Sequence, residues 1–177
     1  GSIISGLCKG FKELAKINLI DSQPEVIGVQ AEGADTIASA FARYSGGNVE
    51  INDQTAKTIA DSISVGKPRD IVKAVKYVYE NGGRYVTVKD EEITSALVDL
   101  ARQRGIFAEP AAATAYAGFR KLLESGSLDK NDDVGIFITG SGLKDINAVK
   151  QAVKGPMKVA PELSDVERAI SESGIDV

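Results

Sequence analysis

The sequence predicts an α/β fold, a three-layer arrangement with helices on both faces of a parallel sheet. Three observations carry that prediction. Apolar runs at 26–30, 85–88 and 134–138 have the length of buried strands. Segments of helical periodicity separate them. Gly140 and Gly142 break the chain just after the third run, as open parallel sheets do where a strand's carboxyl end meets a ligand crevice. Strands alternating with helices of about ten or more residues imply a parallel sheet buried on both faces. Three strands make a thin sheet, so the chain reads as part of a larger one, or as one that a partner completes.

The first element is a helix. Ile3, Ile4, Leu7, Phe11, Leu14 and Ile17 recur at threes and fours and form one apolar face, with Ser2 as an expected N-cap. Gly6 and Gly10, four apart, offer a close approach for another backbone or merely weaken the helix. Residues 26–30 follow Pro24 as a strand, 34–44 as a helix, and Ser45-Gly-Gly-Asn48 as its stop. Residues 49–68 are less regular, with a short helix expected at 55–60. Residues 70–80 place Ile71, Val72, Val75 and Val78 on one side of a helix that Asn81-Gly-Gly83 ends. After the strand at 85–88, Asp90 is the expected cap of a helix to Arg104. Glu91 and Glu92 lie in its first turn, and Arg102 and Arg104 in its last, signs that suit the macrodipole. Pro110 opens the next helix, to Glu124, at the position where a missing N–H costs nothing. The third strand, the glycine turn and a helix from Lys144 close the α/β series. Residues 158–161 read as a linker, and 162–173 as a short polar helix. The expected division is therefore 1–155 for the α/β domain and 156–177 for the linker and terminal helix.

Composition narrows the function. The 177 residues hold 21 basic and 25 acidic side chains, a net charge of −4, which gives no basic field for nucleic acid or a membrane surface. No apolar run approaches a membrane span. Cys8 is alone, which fits a reducing, cytoplasmic compartment. The chain has no histidine. That removes the usual general base near neutral pH, the serine–histidine and cysteine–histidine nucleophile pairs, and the commonest zinc ligand. Catalysis would rest on lysine, carboxylates, hydroxyls or an organic cofactor.

Four places could carry chemistry. Thr139, at the end of the third run, either projects its hydroxyl into the crevice or caps the turn that follows. Glu109 either caps the helix begun by Pro110 or offers a carboxylate beside Ala111, Ala112 and Ala113, whose small side chains leave room for something flat. Asp61-Ser62-Ile63-Ser64 lies in the least regular stretch, where functional loops concentrate. Lys67 and Arg69 flank Pro68 and either bind an anion or are plain surface. No full phosphate-loop or dinucleotide fingerprint is present: Gly140-Ser-Gly142 lacks a third glycine at the right distance.

Three blocks in order and spacing resemble the threonine synthase family, pyridoxal-phosphate enzymes of the tryptophan-synthase-like fold type II. They are Gly10-Phe-Lys-Glu-Leu14 with Val29-Gln-Ala-Glu-Gly33, then Phe107-Ala-Glu-Pro-Ala-Ala-Ala113, and Thr139-Gly-Ser-Gly-Leu-Lys-Asp145. The resemblance covers about residues 1–150 and corresponds to that family's C-terminal half, an incomplete large domain. It implies pyridoxal 5′-phosphate as cofactor, with Thr139 on the pyridine nitrogen. It also implies Gly1 and Ser2 as the last residues of the phosphate loop, Ser62 and Ile63 beside the ring, and Glu109 nearby. It implies a phosphorylated amino acid as substrate, O-phosphohomoserine converted to threonine and phosphate. A homo-oligomer is expected on a separate ground, because a sheet lacking its neighbours exposes strand edges and apolar helix faces. Ser62 stands where the family commonly has glycine. No lysine here matches the Schiff-base motif, so the chain alone is expected to be inactive. A cysteate-synthase-like relative and a non-catalytic α/β module that binds a ligand or partner are the alternatives.

Overall fold

The computed structural model describes residues 1–153, 155 and 157–173; of the expected linker and terminal helix, residues 156 and 174–177 lie outside that set. At its centre two parallel strands, β1 (Ile27–Ala31) and β2 (Arg84–Val88), pair in the register Ile27↔Arg84 to Ala31↔Val88. They are connected through α2 (Thr36–Arg43) and α3 (Ile71–Asn81), the long crossover that parallel neighbours require. Helix α1 (Ser2–Lys16) precedes β1, and α4 (Asp90–Arg104) and α5 (Pro110–Glu124) follow β2.

The pleat sorts alternate residues to opposite faces, and each face has its own core. On one side Gly28 lies beneath Tyr85 and Ile4; a Cβ on Gly28 would come 2.3 Å from the Tyr85 ring. Tyr85 donates its hydroxyl to the Ala74 carbonyl at 3.2 Å and packs among Phe41, Ile71 and Val75 of α2 and α3. Burial pushes the Tyr85 phenol well above its ordinary range. On the other side Ala31 and Val88 pack with Ile93, Ala96 and Leu97 of α4 and with Ala112, Ala113 and Ala117 of α5. Gly118 lets α5 rest directly on Val29, whose methyl carbon would lie 2.5 Å from an added Cβ. The three-layer α/β arrangement is thus present, on a sheet of two strands among the described residues.

Several helix boundaries have visible chemical causes. Gly82 and Gly105 end α3 and α4 in the left-handed region, at φ 78° and 66°. The Glu92 carboxylate accepts the Lys89 N–H at 2.6 Å at the start of α4. Asp90 is not the cap; its carboxylate accepts the Thr58 hydroxyl and the Ile59 N–H, tying the irregular stretch to α4. Nor does Ser2 cap α1. Gly1 holds that position, while the Ser2 hydroxyl donates to the Asp70 carboxylate at the head of α3. Among the described residues nothing lies within 4 Å of a Cβ placed on Gly6 or Gly10, so they serve no close contact there. Residues 55–60 form no helix; a single 3-10 turn, Asp61–Ile63, follows them, because Thr58 and Ile59 are drawn to Asp90.

The largest departure is 134–138, which is not a strand. Its backbone reaches no edge of β1 or β2, and the turn beyond it makes a single antiparallel bridge, of Ser141 with Ala108 in the strip before α5. Ile138 packs on the α4–α5 core, while Val134 and Phe137 stay 44% and 54% exposed. Composition suits a strand, and the pairing edge is missing. The chain then enters a 3-10 turn, Gly142–Lys144, and α6 (Ile146–Ala152), so the last helix of the series starts after Asp145. Helix α7 (Leu163–Ser173) follows the linker. No described helix is long and apolar enough to cross a membrane.

Candidate functional site

A cleft of about 670 Å³ opens along β1, where the starts of α1 and α3, the 61–70 loop, α5 and the 134–139 run converge. Its floor is the edge of β1, and its walls are largely apolar: Ile4 and Leu7 from α1, Ala115 and Phe119 from α5, Ile136 and Phe137 from the run. Gly1, Ser2, Ser62, Ile63 and Thr139 all line it. Five of the six residues singled out in the sequence, scattered from 1 to 139, therefore face one space.

Thr139 lies exposed at the end of the apolar run, and among the described residues its hydroxyl has no hydrogen-bond partner. The capping tasks of the turn are done by others. Ser141 accepts the Leu143 N–H at 3.3 Å, and Asp145 accepts the Ala148 N–H at 3.0 Å at the head of α6. Of the two uses open to Thr139, the local one is filled elsewhere, and the hydroxyl is left to the cleft.

Glu109, the sixth residue, sits directly behind that wall. It is only 5% exposed, and its Oε2 accepts the Ser62 hydroxyl at 3.2 Å. It does not cap α5 with its side chain, although its carbonyl receives the Ala112 and Ala113 N–H groups. A Cβ on Gly140 would fall 1.9 Å from Glu109 Oε1, so glycine is what allows the carboxylate to pass under the turn. The Glu109 N–H donates to the Gly140 carbonyl at 3.0 Å and the Gly142 N–H to the Phe107 carbonyl at 2.9 Å, pinning the turn on both sides. Since Ser62 spends its proton on Glu109, its lone pairs remain for a donor in the cleft. A second cavity, of about 470 Å³, is bordered by Glu109 and Ser62, with Asp61, Lys144, Asp145 and Asn147 also around it.

The rim at the head of α1 is held by Asp70. Its carboxylate accepts from Lys73 and then from Ser2, and those bonds hold it below the usual carboxylate range. The free N–H groups of the first turn of α1, the positive end of its dipole, border the same space. Lys67 and Arg69 line the cleft too; Lys67 also pairs with Asp53 at 2.9 Å, in an exposed bridge. Two further residues of the cleft, Asp70 and Tyr85, gave no functional signal in the sequence. Asp70 lies 68 residues from Ser2 and carried only a helix-start signal, and Tyr85 read as an ordinary strand residue. Among the described residues no group of three or more histidine, cysteine or carboxylate side chains could hold a metal.

Comparison with known proteins was consistent across sequence and fold. A family model described as "Pyridoxal-phosphate dependent enzyme" matches residues 1–140. A threonine synthase of Methanocaldococcus jannaschii is 38% identical over 169 residues, which make up 96% of this chain and 41% of that protein. A threonine synthase of Mycobacterium tuberculosis is 32% identical over 174 residues, 97% of this chain and 44% of that protein. The chain thus spans less than half the length of these relatives. Among solved structures, the processed form of threonine deaminase isoform 2 from Solanum lycopersicum superposes with a TM-score of 0.60 at 20% identity, over 99% of this chain and 42% of that one. Maize serine racemase gives 0.57 at 15% identity, over 94% and 43%. At those identities the shared property is the fold.

Proposed function

The chain belongs to the pyridoxal-phosphate-dependent enzyme family, and from that premise we propose that it is the C-terminal part of a threonine synthase, an enzyme converting O-phosphohomoserine to threonine and phosphate. The observation that carries the reading is the agreement of two facts. Threonine synthases match nearly the whole chain. And the residues expected to border the cofactor, Gly1, Ser2, Ser62, Ile63 and Thr139, line one cleft with Glu109 behind it.

The donor set suits pyridoxal phosphate at both of its ends. The phosphate is accommodated by the N-terminal turn of α1, where free N–H groups and the helix dipole favour an anion. The pyridine nitrogen would fall to Thr139, whose hydroxyl has no hydrogen-bond partner among the described residues. Ile63 and the apolar wall exclude water from the ring. When bound, the cofactor supplies the electron sink that eliminates phosphate and allows water to add. A neutral hydroxyl at Thr139 leaves the ring nitrogen unprotonated, where a carboxylate would hold a proton there. Ser62, with its proton committed to Glu109, offers only an acceptor, and Glu109 keeps both Ser62 and the 139–142 turn in place.

In this reading the lysine that bonds the cofactor, and the groups that hold the substrate carboxylate, belong to the part of the polypeptide that this chain does not cover. The chain by itself is inactive, and the whole enzyme is a cytoplasmic homo-oligomer. The test is phosphate release by the full-length polypeptide. Release from O-phosphohomoserine with equimolar threonine is expected. Release from O-phosphoserine instead would move the assignment to a cysteate-synthase-like enzyme, and release from neither would leave the non-catalytic module.

A further inference from the structure

We propose that Asp90 is a positioning residue for pyridoxal phosphate: its carboxylate clamps the 58–63 strip, whose far end carries Ser62 and Ile63 into the cleft. The inference rests on the reading of that cleft as the cofactor's. It adds a residue that does not itself line the cleft.

Asp90 is the first residue of α4, yet its carboxylate serves another segment. Glu92 accepts the Lys89 N–H at the start of that helix. Asp90 Oδ1 accepts the Thr58 hydroxyl at 2.5 Å and Oδ2 the Ile59 N–H at 3.1 Å, so both oxygens hold one strip. The Thr58 hydroxyl has a second task, because it accepts the Ala60 N–H at 3.2 Å. Ala60 is fully buried in the α4–α5 core, where an unpaired N–H is costly.

From this clamp to the cleft the backbone has little slack. The Asp61 N–H donates to the Ile59 carbonyl at 3.1 Å, the Ile63 N–H to the Ala60 carbonyl at 3.0 Å, and the Ser64 N–H to the Asp61 carbonyl at 3.0 Å. These bonds wind the strip into the 3-10 turn Asp61–Ile63, so a shift at Thr58 or Ile59 is carried on to Ser62. At the far end the Ser62 hydroxyl donates to the buried Glu109 carboxylate at 3.2 Å. Two carboxylates at helix starts thus hold the strip, Asp90 on α4 and Glu109 on α5. The Glu109 bond fixes the Ser62 side chain, and the Asp90 bonds fix the backbone that delivers it. A strip released at one end populates other arrangements, and the apparent affinity for a ligand falls with the fraction still competent. A bond that is only structural lowers stability and leaves that affinity unchanged.

The dissociation constant of pyridoxal phosphate from the full-length polypeptide tests this, read by equilibrium dialysis and by visible circular dichroism of the bound cofactor. Two substitutions keep the size of the side chain. Thr58→Val removes the hydroxyl that joins Asp90 to Ala60, and Asp90→Asn sets an amide NH2 against one of its two donors. Each should raise the constant at least about tenfold, the effect of losing one charge-assisted bond that holds the competent arrangement. Thr58→Ser keeps the hydroxyl and should stay within about threefold of the parent. Valine and asparagine variants that fold and bind as tightly as the parent would overturn the proposal alone, as would a serine variant as weak as the valine one. A parent that binds no pyridoxal phosphate would overturn the reading of the cleft as well. Loss of the fold in both Thr58→Val and Asp90→Asn would also overturn the proposal, because the clamp would then serve the whole fold.

Discussion

Replacing Gly140 with alanine should destabilise the fold by about 1–3 kcal/mol, the range for forcing a methyl into a packed site, and removing the Glu109 side chain should return part of that loss. An ideal Cβ on Gly140 lies 1.9 Å from Glu109 Oε1, 2.3 Å from Cδ and 2.8 Å from Cγ. A flexible carboxylate could swing clear of a single contact, but here three successive atoms are involved. The side chain is also buried, with Oε2 bonded to Ser62. The turn cannot retreat either, because residues 140 and 142 are bonded to the strip at 107–109. Glu109→Ala alone loses a charge-assisted bond and leaves Ser62 without its acceptor, a cost of about 1–3 kcal/mol. If the clash is with the carboxylate, the double variant should be more stable than the two single losses predict, by at least about 1 kcal/mol. Urea unfolding of the four proteins, followed by far-UV circular dichroism, gives that coupling from the midpoints. A G140A variant within about 0.5 kcal/mol of the parent, or strictly additive losses, would rule out a clash with the Glu109 carboxylate.

Other sites give further tests. Thr139→Val should leave the urea-unfolding free energy of the isolated chain within about 0.5 kcal/mol of the parent, since its hydroxyl has no partner within the described residues; a larger loss would mean the hydroxyl is structural. Gly118→Ala should cost about 1–3 kcal/mol by overpacking against Val29, and Val29→Ala should relieve part of it in a double-mutant cycle. The Asp70 carboxyl is held below the usual range by Lys73 and then Ser2, so its stabilisation is present above the unfolded pKa and is lost as pH falls through the folded one. Asp70→Asn should flatten that acid limb of a thermal-melting profile, and an unchanged limb would count against the tie. Cys8 is buried, and burial pushes its thiol above the ordinary value. Iodoacetamide should therefore label it at the rate of opening of the α1–α3 core, many-fold more slowly than in urea; labelling as fast as in the unfolded chain would contradict that packing.

What the sequence revealed depended on how local its cause was. Acidic residues at the start of α4 and basic ones at its end, Pro110 opening α5, and the periodic Ile71–Val78 face all act within a few residues, and those helices were legible. The two strands were legible for the same reason. The run at 134–138 was misread because strand composition is local while strand pairing is not, and among the described residues no strand pairs with it. The helix expected at 55–60 failed because Asp90, a residue 32 positions beyond Thr58, captures that stretch. For the site, the residue types at Thr139, Glu109 and Ser62 were identifiable one at a time. Their meeting was not, since the Ser62–Glu109 and Ser2–Asp70 bonds span 47 and 68 positions. The likeness of three spaced blocks to one family supplied the long-range information that periodicity lacks.

The central claim is that Thr139 presents a neutral hydroxyl to the pyridine nitrogen of pyridoxal phosphate. The most direct measurement is the 15N chemical shift of ring-labelled cofactor bound to the full-length polypeptide, across neutral pH. A shift in the unprotonated range that moves in Thr139→Val is expected. A protonated-range shift, or one indifferent to that substitution, would contradict it.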